Sequence, residues 1–136
     1  MIAVDTNILI YAIDRDNPDK RRRAIKLLES LTPSSAVMLW QVMQEFGGVA
    51  SRLERQGRAA RAGREMHAEL SAALPIVVPS TAVFQAAWKL GDRHRLSYYD
   101  SLLLAACVEG GVNRFFTEDL QAGQTIEGVE LVNPFV

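Results

Sequence analysis

Apolar positions along the chain follow two rhythms. Short, mostly apolar runs at Ile2-Ala3-Val4, Ala36–Leu39, Ile76-Val77-Val78 and Arg114-Phe115-Phe116-Thr117 read as strands, and a fifth is expected at Val129–Val132. Between them, apolar residues recur every three or four positions, the period of a helix with one buried face. That spacing predicts helices over Ile8–Ile13 and over Asp19–Leu31, with Asp14–Asp19 as the loop between them. A third helix runs through Val42, Phe46, Val49 and Leu53, weakened in the middle by Gly47-Gly48. After Gly57 comes another over about Ala59–Leu74. Ser80 is expected to cap a helix facing inward through Val83, Ala86, Ala87 and Leu90. Tyr98–Glu109 is apolar nearly all round, which predicts deep burial. Trp40, Phe84, Trp88 and the methionines stand at core spacing and are expected inside. Strands alternating with helices give an α/β fold around a mainly parallel sheet of four to five strands.

Composition narrows the class. At 136 residues, with 49% hydrophobic and 23% charged, the chain fits one globular domain over residues 1–136. The lone Cys107 excludes an internal disulfide and a cysteine-based zinc cluster, and it fits a reducing compartment. No apolar run approaches a membrane span, and Asp5 interrupts the N-terminus where a signal peptide would be apolar. A cytoplasmic protein without a membrane partner is expected.

A net charge of −1 on its face disfavours a nucleic-acid partner, but it is a cancellation. Residues 15–64 carry eleven Lys/Arg against five Asp/Glu, whereas 96–136 hold six acids against Arg114. The basic half includes Lys20-Arg21-Arg22-Arg23, then Arg52, Arg55, Arg58, Arg61 and Arg64 at every third position. On one helix those five would fan across the surface. Singly they are solvated side chains; together they make a footprint for a polyanion.

Ligands of such sheets bind beyond the carboxyl ends of the strands. Asp5 ends the first strand, Glu118 and Asp119 follow the fourth, and Asp100 and Glu45 lie in the first turns of helices. A parallel sheet would bring these acids to one edge. Each has an ordinary role that would suffice alone. Asp5 could cap the adjoining helix. Ser97-Tyr98-Tyr99-Asp100 fits a capping box in which Asp100 reaches back to the Ser97 amide. Glu45 could be a boundary carboxylate on the shoulder shared by Gln41, Gly48 and Arg52, and Asp119 a turn residue. Those roles leave the convergence unexplained. Crowded carboxylates need a proton or a cation, and hard oxygen ligands favour Mg²⁺ or Mn²⁺ over zinc. Such an ion activates water and stabilises charge on a phosphodiester under attack. Competing motifs are absent: no GxGxxG, Walker loop, CxxC or GxSxG occurs, and His67 and His94 lack ligand spacing.

Val4-Asp5-Thr6-Asn7-Ile8-Leu9, Gln44-Glu45-Phe46, Tyr99-Asp100-Ser101-Leu102 and Thr117-Glu118-Asp119-Leu120 resemble the acidic signatures of PIN-domain ribonucleases. The likeness is greatest to bacterial toxins of the VapC type, down to the Gly123-Gln124 turn and the terminal Asn133-Pro134-Phe135. The resemblance implies a three-layer α/β/α fold, Mg²⁺- or Mn²⁺-dependent endoribonuclease activity, homodimerisation and inhibition by a cognate antitoxin. It assigns Asp5, Glu45, Asp100 and Asp119 to the acidic quartet, with Asp5 and Asp100 as direct metal ligands. Thr6 or Asn7, with Thr117, match positions that orient the acids or a water, and Glu118 could share the role of its neighbour. Arg52, two helical turns or about 10 Å beyond Glu45, suits a neighbouring phosphate, as does Arg55. Two other classes compete. A catalytically silent PIN-like module would bind RNA or protein without turnover. A phosphoacceptor receiver would need paired acids at the first strand and a late lysine, yet Thr6-Asn7 follow Asp5 and Lys89 is the last lysine.

Overall fold

The computed structural model describes residues 1–136. The chain opens with β1 (Ile2–Val4), α1 (Thr6–Ile13) and α2 (Pro18–Glu29), then β2 (Met38–Leu39) and α3 (Trp40–Arg55). There follow α4 (Ala62–Ala73), β3 (Ile76–Val77), α5 (Ala82–His94) and α6 (Tyr98–Glu109). β4 (Arg114–Phe116), β5 (Thr125–Ile126) and β6 (Val129–Val132) complete it. The central sheet has the order β1-β4-β6-β5, and β2 pairs with β3 apart from it. β1, β4 and β6 run parallel, as do β2 and β3; β5 alone is antiparallel. One bridge, Ile2 with Ala36, joins the two sheets, closed by Ile2 N to the Ser35 carbonyl at 2.8 Å and Val37 N to the Ile2 carbonyl at 2.9 Å. Helices flank the sheet in the three-layer arrangement expected.

Phe46 and Phe115, both wholly buried, anchor the core between the layers. Such rings contribute roughly 1.5–3 kcal/mol each through the apolar area they remove from water.

Several expectations change. The helix read from Ala59 starts at Ala62, because Ala59 and Ala60 take left-handed φ values of 57° and 45°. That conformation opposes helix continuation in any L-residue. The arginine run therefore lies on two helices and a turn: Arg52 and Arg55 end α3, Arg58 sits in the turn, and Arg61 is the N-cap of α4. Strand β5 escaped the sequence pattern because two residues show no periodicity; its hairpin turns on Glu127 and Gly128, at φ 51° and 81°. Finally, Trp40, Phe84 and Trp88 are half or more exposed, so helical spacing alone misassigned them to the core. Helix α6 likewise buries Ser101 and Leu104–Cys107 but presents Tyr99 and Val108 to solvent. Its composition is apolar all round; its position in an outer layer is not.

Ser80 also differs from expectation. Thr81 occupies the N-cap of α5, while the Ser80 amide donates to a Glu109 carboxylate oxygen at 2.7 Å and its hydroxyl bonds the other. No helix is long and apolar enough to cross a membrane.

Candidate active site

The register of β1 against β4 builds the site. Val4 lies opposite Phe116, so the next residues, Asp5 and Thr117, emerge side by side at the carboxyl edge of the sheet. Asp5 N still bonds the Phe116 carbonyl at 2.8 Å, which holds the acid in line with the strand before α1 begins. Thr117, wholly buried, donates its hydroxyl to Asp5 Oδ2 at 2.8 Å. The same hydroxyl accepts from the Asp119 and Leu120 amides at 3.2 and 3.3 Å, so it also folds the turn that returns Asp119 towards the edge.

Helix α1 supplies the next layer of contacts. Asp5 is its N-cap, and Thr6 N donates to Asp5 Oδ1 at 2.7 Å. The capping role anticipated for Asp5 is therefore real, yet it occupies one oxygen alone. Thr6 Oγ1 donates to Glu45 Oε2 at 3.0 Å, which links α1 to α3. Asn7 Nδ2 donates to Asp119 Oδ2 at 3.0 Å, and Asn7 Oδ1 is buried without a partner. Asp5, Glu45 and Asp119 are thus strung together by Thr6, Asn7 and Thr117.

Electrostatics mark Asp5 apart. Burial pushes its carboxyl above the ordinary range, the Thr117 and Thr6 hydrogen bonds pull it down, and the charges of Asp119 and Glu45 raise it further.

Asp100 is held differently. Its amide donates to Ser97 Oγ at 3.2 Å, so Ser97 caps α6, but the carboxylate makes no hydrogen bond or ion pair. The reciprocal half of the capping box is missing, which leaves the acid free for other work. No hydrogen bond links it to Asp5, Glu45 or Asp119, so the fold ties together three of the four expected acids and holds Asp100 separately on α6. No three His, Cys, Asp or Glu side chains converge at metal-ligating distance.

Glu118 leaves the site. It pairs with Lys20 of α2, whose ammonium also meets the Tyr11 hydroxyl at 3.1 Å. Burial raises the Glu118 carboxyl, but the Lys20 and Tyr11 contacts bring it below the usual range. Lys20 lies 4.5 Å from the Tyr11 ring centre, and Phe135 packs edge-on to Tyr11 at 4.9 Å. The terminal Asn133-Pro134-Phe135 segment is thereby braced to α1 and α2. Nothing in sequence spacing pointed to Lys20.

The arginines stand apart from the acids. Arg52 lines a cavity of about 400 Å³ with Asp14, Arg15, Asp16 and Arg58, which includes none of the four acids. Arg55 is exposed and unpaired, while Arg64 makes a two-pronged contact with Glu54 at 2.8 and 3.2 Å. Gln41, on the same shoulder of α3 and one turn before Glu45, has its Oε1 buried without a donor. Gly47 proves useful: a Cβ there would meet His67 Nε2 at 3.1 Å, and that ring bonds the Met43 carbonyl at 2.9 Å. The glycine lets α4 brace the helix that carries Glu45.

The donors at the edge are carboxylate, hydroxyl and amide oxygens, with no thiolate or imidazole among them. That set fits a hard divalent cation, and the uncompensated charge at Asp5 gives such an ion something to neutralise.

The fold has close parallels. A toxin–antitoxin complex from Klebsiella pneumoniae contains a chain with TM-score 0.68 and 22% identity, covering 98% of each chain. VapC20 of Mycobacterium tuberculosis, a toxin that cleaves the sarcin–ricin loop, gives 0.63 and 23%, covering 93% of this chain and 98% of that one. VapBC-1 from nontypeable Haemophilus influenzae gives 0.65 and 16%, covering 98% of each. No curated protein sequence matches the chain. The sequence profile described as PIN domain matches residues 2–125, so this chain belongs to the PIN domain family.

Proposed function

We propose that the protein is a metal-dependent endoribonuclease that acts as the toxin of a toxin–antitoxin pair. One observation carries the reading: a buried Asp5 whose two oxygens are fixed by Thr6 and Thr117 while Asp119 and Glu45 crowd it with like charge. A structural cap has no need of two further acids. Asp5, Asp100 and Asp119 would hold Mg²⁺ or Mn²⁺, and Glu45 would hold a second ion or position the attacking water. When bound, the ion supplies Lewis-acid stabilisation and an acidified water. Thr117 and Thr6 fix the Asp5 oxygens, Thr6 also sets Glu45, and Asn7 steadies Asp119. Arg52 and Arg55, at the far end of α3 from Glu45, suit phosphates farther along the strand.

A cognate antitoxin is the expected protein partner, in keeping with relatives solved as toxin–antitoxin complexes. Homodimerisation and a cytoplasmic location complete the proposal. The alternative, a silent PIN-like binding module, draws on the absence of three acids at ligating distance. Purified protein incubated with total RNA decides between them. Cleavage that requires Mg²⁺ or Mn²⁺, stops with EDTA and is lost in Asp100→Asn is the expected result. Full cleavage by Asp100→Asn would overturn the site, and no cleavage under any metal would favour the binding module.

A further inference from the structure

Glu45 stands on the weakest stretch of α3. The helix has no side-chain cap at Leu39, and Gly47-Gly48 begin two residues after the acid. Glycine holds a helix less well than any residue but proline, because its backbone has the most freedom to lose. The Glu45 side chain is exposed and its one hydrogen bond comes from Thr6, so its position depends on the backbone beneath it.

That backbone is held from α4. His67 Nε2 lies 2.9 Å from the Met43 carbonyl oxygen and must be the donor, since a carbonyl has no proton to give. In an α-helix this carbonyl also accepts from the amide four residues on, that of Gly47, so His67 adds a second donor across the soft turn. The ring lies nearly parallel to that of Phe46, at 19° and 6.3 Å, and Phe46 is wholly buried next to Glu45. Two glycines make the approach possible. A Cβ on Gly47 would come within 3.1 Å of His67 Nε2, and one on Gly63, a turn before His67, within 2.6 Å of the Ala50 Cβ. Gly48 is different: a Cβ there meets nothing within 4 Å, so it softens the helix without serving the contact.

We propose that His67 is a positioning residue for Glu45, clamping the glycine-softened turn of α3 so that the carboxylate meets Thr6 and the acids beyond it. Its effect on cleavage rests on the nuclease reading and passes only through α3.

Three substitutions separate the bond from the bulk. His67→Ala removes ring and donor, His67→Phe keeps a ring against Phe46 without the donor, and His67→Gln keeps an N–H donor. Hydrogen–deuterium exchange of the full chain in EDTA reads the helix without metal or RNA. Amides of residues 43–48 should exchange about fivefold faster in His67→Ala and His67→Phe and near the wild-type rate in His67→Gln. Single-turnover cleavage with Mg²⁺, per folded molecule, should fall about tenfold in the same two variants, with RNA affinity in EDTA unchanged. Adding Gly48→Ala, which stiffens α3 without touching α4, should restore both readings in His67→Phe. Unchanged exchange over residues 43–48 in His67→Phe would overturn the clamp. So would a loss of cleavage that Gly48→Ala leaves in place, the mark of a general structural defect. The nuclease reading fails separately: a wild-type protein that cleaves no RNA, with exchange as expected, removes that reading and leaves the clamp.

Discussion

Asp119 and Glu118 are neighbours in sequence and opposites in structure. Asp119 turns back over the sheet edge, held by Asn7 and by the turn that Thr117 closes. Glu118 turns outward to Lys20 and Tyr11 and braces α2 and the C-terminal segment. The difference extends to the regions they serve. Around Asp5, acids gather with hydroxyl and amide donors but no cation; around Glu118, an acid is neutralised by a lysine. A charge left without a counter-ion at a structured edge is arranged for something that binds there, whereas a paired one is already satisfied.

That contrast can be broken most sharply at Asp5 and Asp100. Asp5→Asn and Asp100→Asn should each reduce cleavage to background with the fold retained, checked by circular dichroism beside the RNA assay. Asp5→Asn should also raise the melting temperature of the metal-free protein at neutral pH, because it removes a buried charge of which the fold relieves only part.

Next in size is Thr117→Val. It removes the donor to Asp5 and strands the Asp119 and Leu120 amides, for a loss of about 10–100-fold in activity and about 1–3 kcal/mol in stability. Rate and denaturant unfolding measure the two separately.

A pH series sharpens the same point. The folded-state carboxyl of Asp5 sits above its ordinary value, so its contribution to stability is complete below the usual carboxylate range and is lost as pH rises through the folded value. Melting of the EDTA-treated protein should therefore fall across that window relative to Asp5→Asn, and added Mg²⁺ should cancel the fall. A flat difference between the two proteins would show Asp5 to be compensated without metal.

Smaller effects belong to the satisfied side. Glu118→Gln should leave cleavage intact and lower the melting temperature slightly; a large loss of activity would return Glu118 to the site. Arg52→Ala and Arg55→Ala should each weaken single-stranded RNA binding and reduce its salt slope by about 0.7, the signature of one phosphate contact.

Much of this was legible along the chain. The alternation of short apolar runs with helical spacing predicted the α/β layers, and the acids at strand ends pointed to Asp5 and Asp119, which the fold links with Glu45 through Thr6, Asn7 and Thr117. The failures share a cause. Trp88 and Phe84 carry the right period for a core, but period tells which residues share a face and not whether anything covers that face. The helix expected at Ala59 starts late because two alanines adopt a left-handed turn that composition does not advertise. Glu118 could not be told from Asp119, since which of two adjacent side chains turns inward depends on the turn geometry that Thr117 sets.

The sequence by itself determined the alternation of strands and helices, the parallel core and the acids at the ends of β1 and β4, because these follow from local propensity and from where each strand must end. The tertiary structure decided which acids were neutralised and which were left crowded. That outcome depends on partners far apart in the chain: Thr117 on Asp5 across strand register, Thr6 on Glu45 between helices, and Lys20 on Glu118 across α2. Hydrogen bonds and ion pairs act over a few ångströms, so only the folded chain can assign them.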